Sequence, residues 1–177
     1  MTLEELEPQV DSAVAQHQKC KEAIEKLTLL IEREEMQLAQ AEAAAASVDK
    51  DDSGAYRAAL VRAREIAASI QSHQQELQRA REEMERCRQY LSGTHGKLAE
   101  LCTVFQGKID GFSSAISSLG AASSRMFGGS AASEKVASLS RSKAVYEHQL
   151  NMARSLMARI ESVLGDSGGQ YVKTLRR

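Results

Sequence analysis

The chain has 177 residues and a formal net charge of −1. Ala, Leu, Glu, Lys and Arg make up 84 of them, about 47%, beside one proline and 4% aromatics, a balance near that of coiled coils and long helices. These totals exclude collagen, a disulfide scaffold and a disordered acidic chain, and they argue against a β-sandwich.

The first predicted element runs from about Leu3 to Ser47. Read in heptads, position a holds Leu3, Val10, His17, Ile24, Ile31, Leu38 and Ala45, and position d holds Leu6, Ala13, Cys20, Leu27, Glu34 and Ala41. Only His17 and Glu34 break the apolar seam, which predicts a coiled-coil helix. Thr2 and Glu5 have capping-box spacing. Pro8 offers a competing start, with Glu7 as cap and Pro8 in the first helical position.

Val48 to Gly54 reads as a polar turn. A second element follows from about Ala55 to Leu91. Its a positions are Tyr56, Ala63, Ile70, Leu77, Met84 and Leu91, and its d positions are Ala59, Ile66, His73, Ala80 and Cys87. A short turn between matched helices makes them antiparallel. Centring that turn on Asp52 sets Leu38 opposite Ile66, Ile31 opposite His73, Leu27 opposite Leu77, Cys20 opposite Met84 and His17 opposite Cys87. In that register both seams stay mainly apolar.

Ser92-Gly93-Thr94-His95-Gly96 comes next. Two glycines weaken a helix by about 1 kcal/mol each, and Thr94 is a cap candidate. A turn is the favoured expectation here. The alternative is one rod from Ala55 to Phe127, because Leu98, Phe105, Phe112, Leu119 and Met126 extend the a positions. The third element, about 94–127, is rich in Gly and Ser. Gly107 and Gly111 have the four-residue spacing that permits close backbone approach, so a close-packed helix face within a soluble bundle is expected there, with a partner-docking groove as the alternative. Gly128-Gly129-Ser130 reads as a linker. Ser133 then caps a fourth element over about 134–164, with a stripe of Val136, Leu139, Lys143, Tyr146, Leu150, Ala153, Met157, Ile160 and Leu164. Gly165 is the natural C-cap. A basic tail follows, ending in Lys173, Arg176 and Arg177.

The expected fold is therefore all-α: an elongated antiparallel coiled-coil hairpin continuing into a small helical bundle. The expected division is a hairpin over 1–92, a Gly/Ser-rich helical pair over 93–165 and a flexible basic tail over 166–177.

Charge is unevenly placed. Residues 1–54 hold 13 acids and 5 bases, residues 55–92 hold 5 and 7, and residues 93–177 hold 6 and 11. Opposite faces can pair within the chain, although exposed pairs contribute under about 1 kcal/mol each. The Arg-rich series of the second element lacks interleaved aromatics for base stacking, so no nucleic-acid partner is expected. Mean hydropathy is −0.38 and no apolar run of ~18 residues occurs, so no membrane insertion is expected. The acidic N-terminus does not resemble a Sec signal peptide. Cys20, Cys87 and Cys102 are odd in number and widely spaced, which fits a reducing compartment.

Chemistry finds little support. His17, Cys20, Met84 and Cys87 share adjacent layers, but neither CxxC nor HxxxH spacing is present, and a closed zinc site needs four well-aimed ligands. The serines fall in helices and linkers, and the one GxSxG string, Gly165 to Gly169, follows a helix rather than the strand that a nucleophile elbow needs. No phosphate-loop or Glu-x-x-His motif occurs. The expectation is a chain with no catalytic, cofactor or metal site.

Leu91-Ser92-Gly93, at a join between two amphipathic helices, resembles the Trp/Leu-x-Gly turn of the WXG/LXG helical hairpins of type VII secretion systems. The resemblance covers roughly residues 55–127. It implies a helix–turn–helix there, and a secretion-associated partner or chaperone of an exported effector as the alternative function. The leading expectation is a non-enzymatic interaction protein, a scaffold, adaptor or assembly subunit, working through coiled-coil and helix-face contacts. Its partner would be a second copy or another helical protein, in a homo- or hetero-oligomer. The candidate interface residues are Leu91, Gly93, Phe105, Gly107, Gly111, Phe112 and Leu119. The expected location is the cytoplasm, with export independent of Sec as the alternative.

Overall fold

The computed structural model describes residues 2–48, 53–123 and 130–174, with the side chains of 2–48, 54–121 and 133–165. The fold is all-α, with three helices: α1 (Leu3–Ser47), α2 (Ser53–Ser123) and α3 (Ser130–Thr174). The expected Asp52 turn, the Gly128-Gly129 linker and the terminal Arg176 and Arg177 lie outside the described residues.

The start of α1 goes to Thr2. Its backbone N–H donates to Glu5 Oε2 at 2.9 Å, and the Glu5 N–H donates to Thr2 Oγ1 at 3.3 Å. This reciprocal box satisfies two otherwise orphaned donors. Pro8 then sits inside the helix, at the loss of one backbone hydrogen bond. Leu3 and Leu6 are buried, which offsets that loss.

The chain forms two compact units, Met1–Val14 with Gln89–Arg177, and Ala15–Arg88. The second is an antiparallel hairpin of α1 and α2. Ile31, Ile70 and Leu77 form its core, with Ile24, Leu27, Leu38 and Ile66 packed against them. Glu34 reaches Ser69 and His73 on the opposite helix. Those residues bracket Ile70, the position facing Glu34 when the turn centres on Asp52, so the expected register is the one formed.

The first unit is a three-helix bundle. Leu3, Leu6 and Val10 of α1, Leu91 and Leu98 of α2, and Ala153, Leu156 and Ile160 of α3 make one core. The start of α1 therefore belongs to this bundle, whereas the sequence reading placed it wholly in the hairpin.

Three expected boundaries are corrected. No turn forms at Gly93–Gly96, because α2 passes through both as one helix of 71 residues. Leu91 and Leu98 are fully buried and Thr94 nearly so. Burying each leucine contributes about 1.5–3 kcal/mol, which exceeds the ~1 kcal/mol cost of each glycine. Ser133 does not cap α3, which begins at Ser130. Gly165 does not end it either, since α3 continues to Thr174. No described glycine takes a positive φ, so Gly165 lacks the left-handed conformation that a C-cap glycine supplies.

Candidate functional site

The candidate interface residues do not gather into one patch. Leu91 is sealed in the three-helix core. Gly93 lies on an exposed stretch of α2, so Leu91-Ser92-Gly93 is helix interior rather than a turn. Phe105 and Phe112, one heptad apart on α2, flank Tyr146 of α3 with ring centroids 6.0 and 5.7 Å away. Aromatic pairs at these separations attract beyond their area burial. Lys108 lies 4.7 Å from the Tyr146 ring centroid, and its Nζ donates to the phenol oxygen at 3.0 Å. Both phenylalanines are thus engaged within the chain. Leu119 is half-buried.

Gly107 and Gly111 are exposed. A Cβ added at either would meet nothing within 4 Å. No described backbone approaches there, so the close-packed helix face expected of this spacing is not formed among the described residues.

Beyond Leu98 the inward stripe of α2 also shifts. Cys102, Ile109 and Ile116 turn inward, while Leu101 and Lys108, at the continued d positions, are exposed. Cys102 Sγ lies 3.8 Å from Met157 Sδ. A straight helix drifts ~20° per heptad relative to a 3.5-residue repeat, which carries the inward stripe from d toward e along α2.

The sequence pattern leaves Val14, Leu30, Leu60 and Ala67 as apolar side positions for another helix to cover, and Leu30 is exposed. It missed the apolar side chains at the outermost positions. In the hairpin unit Leu29 is 67% exposed, Met36 63% and Val61 51%. All three occupy heptad position f, the point furthest from the partner helix. In the three-helix unit Val104 and Val145 are similarly exposed. A search for large apolar residues at f would have found the first three.

The seam also carries polar layers. Glu34 accepts from Ser69 Oγ at 2.8 Å, and its other oxygen lies 2.8 Å from His73 Nδ1. These bonds, His73 first and then Ser69, hold the Glu34 carboxyl below its ordinary pKa. Glu34 and His73 thus satisfy each other across the seam. His17, Cys20, Met84 and Cys87 are all buried. Burial raises the pKa of both thiols, and the nearby Glu83 carboxylate adds to it. Such thiols stay protonated and inert. Among the described residues no three His, Cys, Asp or Glu side chains converge as metal ligands.

Near the helix ends of the hairpin an open groove of about 580 Å³ is lined by Leu38, Ala45, Tyr56, Leu60 and Ala63, with Glu42 and Arg64 among its lining. It brings together no nucleophile and base of the kind that covalent catalysis needs. In the three-helix unit Arg159 of α3 donates to Glu7 Oε1 and Asp11 Oδ1 of α1, both at 2.8 Å. This is the pairing of acidic α1 with a basic later segment that the charge distribution suggested. No helix, among the described residues, is long and apolar enough to cross a membrane.

Compared with family models, curated proteins and solved structures, the chain matches none.

Proposed function

We propose that this chain is a non-enzymatic assembly protein that binds through its helix faces, first of all to copies of itself. Leu29 and Met36 carry the reading. They lie two turns apart on one outer face of α1, at positions that a two-helix seam never covers. Burying such side chains against another helix contributes about 1.5–3 kcal/mol each. A symmetric contact would repeat that gain on both copies. An adaptor role, with another helical protein on the same face, is the second form of the reading.

Light scattering across a concentration series tests it. The wild-type mass is expected well above 19.3 kDa. The double variant Leu29→Glu/Met36→Glu is expected near the single-chain mass, with a thermal melt that matches the wild type at dilutions where the wild type is itself dissociated. A wild type that stays at the single-chain mass up to high concentration overturns self-association. A stoichiometric metal or organic cofactor in the purified protein overturns the non-enzymatic reading.

A further inference from the structure

Three of the four histidines meet different surroundings. His73 Nδ1 lies 2.8 Å from Glu34 Oε2, and His95 Nε2 lies 2.8 Å from Glu161 Oε1. A proton on either faces a carboxylate. His17 does not share that arrangement. It is 3% exposed, and its Nε2 is buried without a hydrogen-bond partner among the described residues. Among the described residues, the charged groups that act on its ring are Lys21 of α1 and Arg88 of α2, and Cys20 and Cys87 are buried in the same stretch of the seam. Lys21 and Arg88 both act against a positive charge on the ring. Glu83 of α2 acts on the two thiols.

We propose that His17 makes the hairpin unit acid-sensitive, a proton on its imidazole opening the α1–α2 seam around Cys20, Met84 and Cys87. The neutral ring fits the seam as a filler with one unmet polar atom. The imidazolium has two N–H donors, and its Nε2–H has no acceptor in the closed seam. A buried, unpaired charge is among the most costly groups in a protein interior. Opening the seam returns it to water.

Burial first, and then Lys21 and Arg88, hold the His17 pKa below its ordinary 6.5. The closed seam therefore takes up the proton less readily than the open one. Its stability is complete above pH 6.5 and falls as the pH drops below that value. Glu34 works in a lower window. Its depressed pKa keeps its contribution until the pH falls below about 4.5. The opening at His17 therefore begins at a higher pH than the loss of the Glu34 contribution. Its consequence is exposure of two thiols that are shielded at neutral pH. None of this depends on what the outer faces bind.

Hydrogen–deuterium exchange of the full chain, corrected for intrinsic chemical rates, tests the device at pH 7.5, 6.5 and 5.5. In the wild type, protection over residues 15–24 and 80–88 is expected to fall by up to about tenfold per pH unit below 6.5. Protection around Ile31, Ile70 and Leu77 is expected to hold. His17→Leu fills the site without a titratable group and is expected to remove the pH response. An equal fall in His17→Leu, or no fall in the wild type, overturns the proposal. A histidine-labelled NMR titration of the wild type needs no variant. His17 is expected to stay neutral below pH 6.5, and its titration at or above that value overturns the proposal as well.

Discussion

The two units solve the same packing problem with different numbers of helices. In the three-helix unit Val10, Leu91, Leu98, Leu156 and Ile160 are sealed from solvent. In the hairpin unit Ile31, Ile70, Leu77 and Met84 sit in the seam, and each keeps 7–9% of its surface exposed. A helix in a pair has one covered stripe and two open flanks, and a third helix closes a flank. The polar layers follow the same division. Glu34, Ser69 and His73 lie in the hairpin seam, where an open flank lets polar atoms reach one another, and His17 lies in the same seam with its Nε2 buried. The three-helix core is apolar apart from Thr94 at its edge. Most of the tertiary stability is therefore expected in the three-helix unit, and most of the response to conditions in the hairpin.

The largest expected effect tests the continuity of α2. Inserting one residue between Ser92 and Gly93 rotates everything beyond it by ~100°. Leu98, Cys102, Phe105 and Ile109 would leave the bundle face together. A loss of more than about 4 kcal/mol is expected, the range reserved for core disruption. A urea melt within error of wild type would mean that a turn at Gly93–Gly96 absorbs the extra residue.

Next in size is a direct comparison of the two cores. Leu156→Ala is expected to cost about 3–5 kcal/mol, because a sealed site cannot collapse around the lost atoms. Leu77→Ala is expected near 2 kcal/mol, since the seam around it is thinner and partly open. Equal losses in chemical denaturation would remove the distinction between the units.

Much of the hairpin was legible in the sequence, because one strict period governed both of its helices. The a and d residues Ile31, Leu38, Ile66, Ile70 and Leu77 lie in the seam as spaced, and Glu34 and His73 break it in adjacent layers. The bundle was less legible. Gly93 and Gly96 signal a turn through local propensity, but three helices bury the residues around them, and burial outweighs propensity. Leu156 was missed for a related reason. A single stripe on α3 predicts one partner, whereas α3 meets both α1 and α2, which widens its buried face to include Leu156 beside Met157. No local pattern states that Leu3, Leu6 and Val10 pack against residues some 90–150 positions away. The candidate interface failed on the same point. Phe105 and Phe112 looked available only until Tyr146 was placed between them.

The smallest effects come from the two charged clusters, and salt separates them. Arg159 joins Glu7 and Asp11 where all three side chains are roughly half exposed. The Glu34 side chain is 15% exposed and His73 24%. Exposed charges are screened once the Debye length shrinks to ~3 Å at 1 M salt, and partly buried pairs much less so. Arg159→Ala is expected to lower the melting temperature slightly at low salt and not at all at 1 M. Glu34→Gln is expected to lower it at both, because the hydrogen bonds to His73 and Ser69 are altered together with the charge. Two melts at each salt concentration decide the matter. A Glu34→Gln deficit that disappears at 1 M would place that layer among solvated surface charges and weaken its claim to set the hairpin register.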